Sequence, residues 1–379
     1  MATRLKLGMV GGGQGAFIGA VHRIAARLDD RFEVVAGALS SDPQRAQDSA
    51  AEANIARSYA DWREMARAES ALDDGIDAVA IVTPNHLHAP VATAFLEAGI
   101  HVICDKPLAV SLAEGEALAR LARDKQRLFA LTHTYSGYPM VRHARELIEA
   151  GELGEIRVVQ VEYAQDWLAE PIEQSGTNKQ AAWRTDPKLS GPAGCLGDIG
   201  THAYHLAGFI SGMLPAALAA DVHTFVPGRR VDDHVQAMLR YANGARGMLW
   251  ASQVAGGAEN ALRLRVYGTR AGIAFDQEEP NELWFTPLGG AAQRLTRGRV
   301  KGVAAAHATR VPPGHPEGYL EAFAQLYKDA ALQIEALDAG RPAPPESRLL
   351  TTVDDGVAGL RFIDAMLASS AAGGQWREI

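Results

Sequence analysis

The chain has 379 residues, with 37 Lys and Arg against 45 Asp and Glu, which gives a formal net charge of −8. Hydrophobic residues make up 47% and charged residues 22%, a balance typical of globular domains and not of disordered chains. The length predicts two domains. A net acidic chain is a poor partner for nucleic acid or an anionic membrane surface. The first apolar run is too short for a signal peptide or a membrane span, and two cysteines cannot form a disulfide framework, so we expect a cytoplasmic protein.

The first third of the chain alternates short apolar strands with amphipathic helices, which is typical of a parallel sheet covered by helices. Pro43 is placed to open a helix, and Gly99 is placed to end one. We therefore predict a doubly wound α/β domain over residues 1–133. Its predicted strands are Leu5–Val10, Phe32–Leu39, Ala78–Val82, His101–Cys104 and Leu128–Thr132, and its predicted helices are Val21–Arg27, His88–Ala98 and Leu112–Lys125.

After residue 133 the strand-like runs are separated mostly by turn signals, which predicts a large, mostly antiparallel open sheet. Residues 134–379 are therefore predicted to form a second, α+β domain, with a long loop over residues 297–316. The predicted strands are Ile156–Tyr163, Val235–Tyr241, Arg246–Ser252, Leu262–Tyr267 and Ile273–Phe275, and the predicted helices are Met140–Ala150, Thr201–Ile210, Tyr319–Ala339 and Thr351–Ser370.

A glycine-rich turn follows the first predicted strand. Backbone amides in such a turn can approach a pyrophosphate at a helix N-terminus, where a Cβ atom would block both the turn and the ligand. The alternative is a merely flexible turn, but its position on the first strand of a strand–helix–strand unit favours dinucleotide binding. The turn contains Gly11, Gly12, Gly13 and Gly15, with Gly19, Phe17 and Ile18 at the start of the helix.

The end of the second strand is where an acidic residue would hold the ribose 2′-hydroxyl of NAD. Here that position is Ser40, followed by Ser41, with Arg45 one turn into the next helix. Hydroxyl and guanidinium groups suit the 2′-phosphate of NADP. Asp42 is the alternative acid if the loop bends differently. The expected cofactor is NADP or NAD, with NADP favoured.

Three later segments resemble the glucose–fructose oxidoreductase / inositol dehydrogenase / rhizopine catabolism (Gfo/Idh/MocA) family. Residues 104–109, CysAspLysProLeuAla, resemble its Glu-Lys-Pro motif with Asp in place of Glu; residues 83–88, ThrProAsnHisLeuHis, resemble its cofactor-contacting segment; and residues 197–202, GlyAspIleGlyThrHis, resemble its Asp-x-x-x-His element. The resemblance covers the whole chain and implies an N-terminal Rossmann domain, a nicotinamide-dependent oxidoreductase and a homodimer or homotetramer. The cofactor contacts that it implies are Thr83, Pro84, Asn85, His88, Asp105 and Lys106.

Two features depart from the family pattern. The glycine segment has three extra residues between Gly11 and Gly19, before the helical His22. His205 stands three residues after the candidate catalytic histidine, where the family often has Asp. The pyrophosphate loop is therefore longer than usual, and the hydrogen bonding around the histidine differs.

Oxidation of a secondary alcohol needs a base for the hydroxyl proton while the cofactor takes the hydride. His202 is the candidate, because an unperturbed imidazole titrates near neutral pH. Asp198 lies four residues earlier, which puts it on the same face if this stretch is helical, and there it can orient the imidazole or bind a substrate hydroxyl. Lys106 can stabilise negative charge on the reacting oxygen. The resemblance implies the same trio.

Each member of the trio also has an ordinary structural interpretation, as a solvated lysine or a buried histidine. Asp198, His202 and His205 can also be considered as metal ligands, but no further cluster with ligand spacing accompanies them, so we expect no metal.

Other residues are candidates for contacts. Trp183 and Arg184 resemble a Trp-Arg pair that contacts nicotinamide in some family members, and Tyr319 at the start of a late helix is a further cofactor candidate. Aromatic faces beside polar groups suit a sugar ring. On that basis the predicted substrate contacts, besides Asp198 and His202, are Tyr135, Asp166 and Trp167.

These features lead to three hypotheses. The first is an NAD(P)-dependent dehydrogenase or reductase acting on a CH–OH group of a sugar, glycoside or cyclitol. The alternative is a glycosidase of the same fold that retains NAD and cleaves its substrate through transient oxidation and elimination. The third, a non-catalytic dinucleotide sensor, is disfavoured because Lys106, Asp198 and His202 are all present.

Overall fold

A computed structural model of the protein describes residues 4–379. Its first part alternates strands with helices, as the hydrophobic pattern predicts. The elements are β1 (Leu5–Gly11), α1 (Phe17–Leu28), β2 (Phe32–Ala38), α2 (Pro43–Glu52), β3 (Arg57–Ser58), α3 (Trp62–Ala71), β4 (Ala78–Val82), α4 (His88–Glu97), β5 (His101–Cys104), α5 (Leu112–Asp124) and β6 (Phe129–Leu131).

The six strands form one parallel sheet in the order β3-β2-β1-β4-β5-β6. All five residues of β4 are buried, since helices cover both faces of a doubly wound sheet. Local signals set the helix ends: Asp42 caps α2 ahead of Pro43, and Gly99 adopts a φ of +78° after α4. The predicted doubly wound domain is confirmed.

The later part of the chain is rich in strands. Its elements are α6 (Pro139–Glu149), β7 (Ile156–Ala164), α7 (Lys179–Arg184), α8 (Pro187–Ser190), α9 (Thr201–Ser211), β8 (Pro215–His223), β9 (His234–Tyr241), β10 (Arg246–Ser252), β11 (Ala261–Gly268), β12 (Ala271–Asp276), β13 (Glu282–Pro287), β14 (Gln293–Thr296), α10 (Val303–Ala308), α11 (Tyr319–Asp338), α12 (Val353–Ala371) and β15 (Arg377–Glu378).

Nine of these strands form the second sheet, in the order β14-β13-β12-β11-β7-β10-β9-β8-β15. Every neighbouring pair is antiparallel except β7 and β10, which run parallel. Burial alternates along β9, where Val235 and Leu239 are buried and Met238 is 59% exposed. One face therefore packs on the core and the other is open, which confirms the predicted antiparallel open sheet.

Several helices and strands were not predicted from the sequence. Strand β8 has the sequence PAALAADVH, whose alanines carry little β-propensity. Helix α3 is polar overall and has few apolar positions to mark its period. The segment 297–316, expected to be a loop, contains the short helix α10. Strands β13 and β14 were also not predicted, because short edge strands carry a weak periodic signal.

The chain forms two compact units, one of residues 1–137 with Tyr319–Val357 and one of Tyr138–Gly318 with Ala358–Ile379. The predicted division at residue 133 differs from this one chiefly in the segment Tyr319–Val357. That segment belongs to the first unit because the apolar side of α11 is buried in the first core, with Phe323 and Ala330 among the buried residues.

A histidine of α1 anchors α11 in that core. His22 is fully buried, its Nδ1 lies 2.8 Å from the Tyr327 hydroxyl oxygen, and its ring packs at 4.9 Å from that of Phe323. Burial lowers the pKa of His22 from 6.5 to about 4. The folded unit therefore holds a neutral imidazole at a pH where the unfolded chain would be protonated.

Within the described residues no helix is both long enough and apolar enough to cross a membrane.

The His22→Gln variant tests this burial. Between pH 6.5 and 4 the unfolded chain binds more protons at His22 than the folded chain, so the stabilisation is complete above 6.5 and is lost as the pH falls. We expect the wild type to lose up to about 3 kcal/mol of unfolding free energy from this group between pH 7.5 and 4.5, and His22→Gln to lack that decrease. Guanidinium unfolding at several pH values measures it. The Tyr327→Phe control keeps the imidazole and should keep the decrease; an identical pH dependence in His22→Gln and the wild type would contradict the assignment.

Candidate functional site

The glycine turn lies at the carboxyl end of β1, beside the end of β4. Gly11 pairs with Val82, and a Cβ atom on Gly11, whose φ is +79°, would stand 2.8 Å from the Val82 carbonyl oxygen. A Cβ atom on Gly19 would stand 2.2 Å from the carbonyl oxygen of Gly12. Glycine is therefore required at these positions for the strand, the turn and α1 to approach so closely.

The same edge offers groups that suit a dinucleotide. A Cβ atom on Gly15 would have no neighbour within 4 Å, so the turn is open on that side. The hydroxyl oxygen of Thr83 is buried and has no hydrogen-bond partner among the described residues. A buried hydroxyl without a partner costs free energy unless a ligand or water satisfies it. The turn and Thr83 thus fit a ligand that brings hydrogen-bonding groups to this edge of the sheet.

The candidate ribose-phosphate residues are linked to the turn. The Asp42 Oδ1 accepts a hydrogen bond from the Arg45 backbone N–H at 2.8 Å, so this carboxylate caps α2. The Arg45 guanidinium donates to the Gln14 carbonyl oxygen at 2.9 Å and is exposed. The Ser40 Oγ accepts the Asp42 N–H at 3.2 Å, and Ser41 is exposed. Arg45 therefore lies against the glycine turn, with the hydroxyls of two serines shortly before its helix.

The two loops that follow β4 and β5 contain the next group of candidates. The Asp105 Oδ1 accepts hydrogen bonds from the Lys106 backbone N–H at 3.1 Å and from the Thr132 hydroxyl at 2.8 Å. His88 is buried, and its two ring nitrogens lie 2.7 Å from the Pro107 carbonyl oxygen and 2.9 Å from that of Thr83. The structure therefore joins the loop that carries Lys106 to its neighbours on both sides. Pro84 precedes the 3-10 turn Asn85–Leu87, in which Asn85 is buried.

The remaining candidates of the first unit vary in exposure. Phe17 is 72% exposed, whereas Ile18 packs against the first core. Tyr319 begins α11 and packs against that core, with its ring 5.3 Å from Phe323. Tyr135 is buried in a 3-10 turn after β6.

In the second unit the structure brings together residues that were predicted separately. The Asp198 Oδ2 accepts a hydrogen bond from the Gln253 side-chain amide at 2.9 Å and lies 3.4 Å from the Nε of Arg184. The Arg184 guanidinium stacks over the ring of Trp183 at 4.3 Å and lies 5.9 Å from that of Trp167. We refer to these five residues as the Asp198 cluster. It combines a carboxylate, an amide and a guanidinium with two indole faces.

Asp198 lies in a π-helical turn, Leu196–Gly200, which continues directly into α9. Such turns are frequent at functional sites. The buried Asp232 carboxylate accepts the backbone N–H groups of Gly194 and Leu196, both at 2.7 Å, and so fixes the start of the turn. Burial raises the pKa of Asp232 to about 6, since the charged form loses its hydration there.

His202 lies in the first turn of α9 and is 9% exposed, with its ring 6.3 Å from that of Tyr163. The Tyr163 hydroxyl donates to the Asn260 side-chain carbonyl oxygen, which also accepts a hydrogen bond from the Gln165 amide, each at 2.7 Å. The stretch from Asp198 to His202 is helical, as its predicted spacing requires. Among the described residues, no group of three or more His, Cys, Asp or Glu side chains is arranged to hold a metal ion.

Asp166 contributes to the loop structure. It is exposed, and its carboxylate accepts the Gly257 backbone N–H at 3.0 Å. Its neighbour Trp167 donates from its indole nitrogen to the Gln165 side chain at 3.1 Å. Of this pair, Trp167 belongs to the Asp198 cluster.

Sequence reasoning missed Gln253 and Asp232. Gln253 directly follows the apolar strand β10, and a polar residue at a strand end was a weak signal that could have been used. Asp232 lies in a turn, where an aspartate is expected for many reasons. No local pattern indicates that it reaches Gly194, 38 residues earlier.

Comparison with known proteins places the chain in a family. Residues 5–133 match the model of the oxidoreductase family with an NAD-binding Rossmann fold, and residues 141–274 match the GFO/IDH/MocA C-terminal domain. The uncharacterized oxidoreductase YfiI of Bacillus subtilis is 34% identical over 99% of this chain and 96% of its own length. The chain belongs to the Gfo/Idh/MocA oxidoreductase family.

Further relatives of this oxidoreductase have named activities or solved structures. The levoglucosan dehydrogenase of Pseudarthrobacter phenanthrenivorans is 30% identical over 99% of this chain and 98% of its own length. The crystal structure of an oxidoreductase from Sinorhizobium meliloti is 49% identical, with a TM-score of 0.89, over 99% of this chain and 100% of that one. An inositol dehydrogenase homolog from Azotobacter vinelandii, complexed with NADH and myo-inositol, is 33% identical with a TM-score of 0.90, over 100% of this chain and 98% of that one.

The Gly19→Ala variant of this oxidoreductase tests the glycine turn. The added Cβ would stand 2.2 Å from the Gly12 carbonyl oxygen, so α1 must move away from the turn. We expect the NADH dissociation constant, measured by fluorescence titration, to rise at least about tenfold. A rise of that size corresponds to the free energy of roughly one good hydrogen bond. Gly359→Ala is the control, because its Cβ would meet nothing within 4 Å and it lies in α12. Wild-type affinity in Gly19→Ala would show that the close approach is not needed for binding.

Proposed function

We propose that the protein is an NAD(P)-dependent oxidoreductase that transfers hydride between nicotinamide and a secondary alcohol or ketone of a sugar, glycoside or cyclitol. The observation that carries the proposal is the Asp198 cluster. A carboxylate and a guanidinium beside indole faces suit a ring with many hydroxyl groups, since the polar groups bond hydroxyls and the indoles cover C–H faces. The names of the relatives, levoglucosan dehydrogenase and inositol dehydrogenase homolog, support the same substrate class.

The residues of this chain divide the work as follows. When bound, nicotinamide supplies the hydride acceptor or donor. His202 takes the hydroxyl proton during oxidation and returns it during reduction, as a neutral imidazole can. The Lys106 ammonium stabilises the negative charge that develops on the reacting oxygen. Asp198, itself held by Gln253, orients the substrate hydroxyl or the imidazole.

For the cofactor we propose NADP in preference to NAD. The support is local: Ser40 stands at the end of β2 in place of an acid, and the exposed Arg45 guanidinium lies on the glycine turn. The Asp42 carboxylate caps α2, an arrangement that uses one of its oxygens within the protein. A guanidinium is a good partner for a 2′-phosphate.

We also propose that the protein is a homodimer or homotetramer that associates through the open face of the nine-stranded sheet. That face carries large exposed apolar side chains, which a soluble domain rarely leaves uncovered. They are Val158, Met238, Met248, Tyr267 and Trp284.

The function is tested by assaying reduced nicotinamide formation with NAD and NADP against inositols, free and anhydro sugars, and aryl glycosides, with aglycone release followed in parallel. We expect hydride transfer with at least one of these classes. In Lys106→Met and His202→Gln we expect kcat to fall by about 10²–10⁴-fold. Cofactor affinity should stay within about threefold, since these side chains act on the substrate oxygen. Lys125→Met, which changes an exposed lysine after α5, is the matched control.

Two outcomes would reject this function. Aglycone release without net nicotinamide reduction would point instead to a glycosidase that retains its cofactor. Cofactor binding without hydride exchange to any of the compounds would leave a sensing role. Full activity in either site variant would remove that residue from the mechanism.

Arg45→Ala tests the cofactor proposal. Loss of the guanidinium should raise the KM for NADP at least about tenfold, the worth of one charge-assisted hydrogen bond, and change the KM for NAD less than about threefold. Arg67→Ala, on the exposed side of α3, is the matched control. If Arg45→Ala leaves NADP use intact while Asp42→Asn abolishes NAD use, then Asp42 serves as the ribose acid and the proposal is wrong.

A further inference from the structure

A buried histidine connects the two loops that end β4 and β5. His88 begins α4 and is 1% exposed. Its Nδ1 lies 2.7 Å from the Pro107 carbonyl oxygen, and its Nε2 lies 2.9 Å from the Thr83 carbonyl oxygen. Burial lowers the pKa of His88, so the ring is held in its neutral form, which carries a single N–H. Carbonyl oxygens only accept hydrogen bonds, so the ring donates to one of the two at a time. Both ring edges nevertheless face backbone carbonyl oxygens at hydrogen-bond distance, and neither edge is left for a ligand.

The two carbonyl groups that His88 contacts lie beside residues of the candidate site. Thr83 carries a buried hydroxyl that has no partner among the described residues, and Pro107 follows directly after Lys106. On the other side of the loop, the Asp105 carboxylate accepts from the Thr132 hydroxyl, and the Asp105 N–H donates to the Ile81 carbonyl oxygen at 2.9 Å. The Lys106 backbone is thereby held from β6 and β4 on one side and from α4 on the other.

We propose that His88 is a positioning residue for Lys106, which sets the backbone from which the ammonium extends and keeps it in register with the Thr83 loop. This inference rests on the proposed function for the part that concerns turnover. It replaces direct cofactor contact as the role of His88. A displacement of a reacting group by about 1 Å can cost about 10²-fold in rate, so the loss of such a brace should affect chemistry more than binding.

The chain offers a matched control for the test. His101 is 2% exposed and lies in the same sheet, at the first residue of β5, at the opposite end of that strand from Lys106. Its Nδ1 accepts the Leu128 backbone N–H at 2.8 Å, and its Nε2 lies 3.1 Å from Asp338. His88→Gln and His101→Gln therefore both remove a buried imidazole that contacts the backbone of this unit.

The first readout does not depend on activity. The protein has seven lysines, and reductive ¹³C-methylation gives each a methylamine NMR signal; Lys106→Arg identifies that of Lys106. We expect the chemical shift of the Lys106 signal to move in His88→Gln and to stay unchanged in His101→Gln. The second readout is turnover, where we expect kcat to fall about ten- to hundredfold in His88→Gln, with the NADH dissociation constant within about threefold of the wild type.

Three results would overturn the inference. They are an unmoved Lys106 signal in His88→Gln, whatever the turnover; an equal change in both variants, which would indicate general loosening; and wild-type kcat in His88→Gln. If the wild type transfers no hydride to any compound, the proposed function fails, while the NMR comparison still decides whether His88 positions Lys106.

Discussion

The pairing of β1 with β4 is the constraint on which the first unit depends. The strand order reverses at β1, which has β2 and β3 on one side and β4, β5 and β6 on the other. In open parallel sheets ligands bind where the order reverses, because the loops there diverge to opposite faces. The register sets Gly11 opposite Val82, so the glycine turn and Thr83 leave the sheet at one level. A side chain at Gly11 would separate them, since its Cβ would approach the Val82 carbonyl oxygen to 2.8 Å.

Beyond the strand ends, backbone groups have no ladder partners, and buried side chains supply them. The single N–H of neutral His88 does so for one of two adjacent carbonyl oxygens in the first unit, and Asp232 does so for two N–H groups in the second. Both side chains are polar, ionisable and buried, and such burial costs free energy unless their hydrogen-bond partners are well placed. Each therefore favours one loop conformation strongly over its alternatives. These two contacts adjoin Lys106 after β5 and Asp198 in the π-helical turn, both of which have proposed chemical roles.

Prediction from the sequence succeeded where the physical signal is local and failed where it is not. The apolar run Ala78–Val82 and the proline at position 43 determine their elements within a few residues, and both were predicted correctly. The glycine turn was also predicted, because its glycines lie close together in sequence between β1 and α1. The packing of α11 in the first core was not predicted, because the apolar side of the helix would have the same sequence pattern in either core. The contact of Gln253 with Asp198 spans 55 residues and depends on sheet order, which no local pattern encodes.

The second unit contains a network of buried charged side chains around the guanidinium of Arg229. The Arg229 side chain is fully buried and donates to the carboxylates of Glu173 and Asp233 and to the Leu168 carbonyl oxygen. Desolvation makes such a network a weak source of stability, and apolar residues of similar volume often do as well. The directional donors of Arg229, however, link the segment after Trp167 to the turn that carries Asp233. The Asp233 carboxylate also accepts backbone N–H groups of that turn, so the network joins the two loops through hydrogen bonds. These buried charges thus define the loop geometry next to Trp167, a member of the Asp198 cluster, through directional contacts.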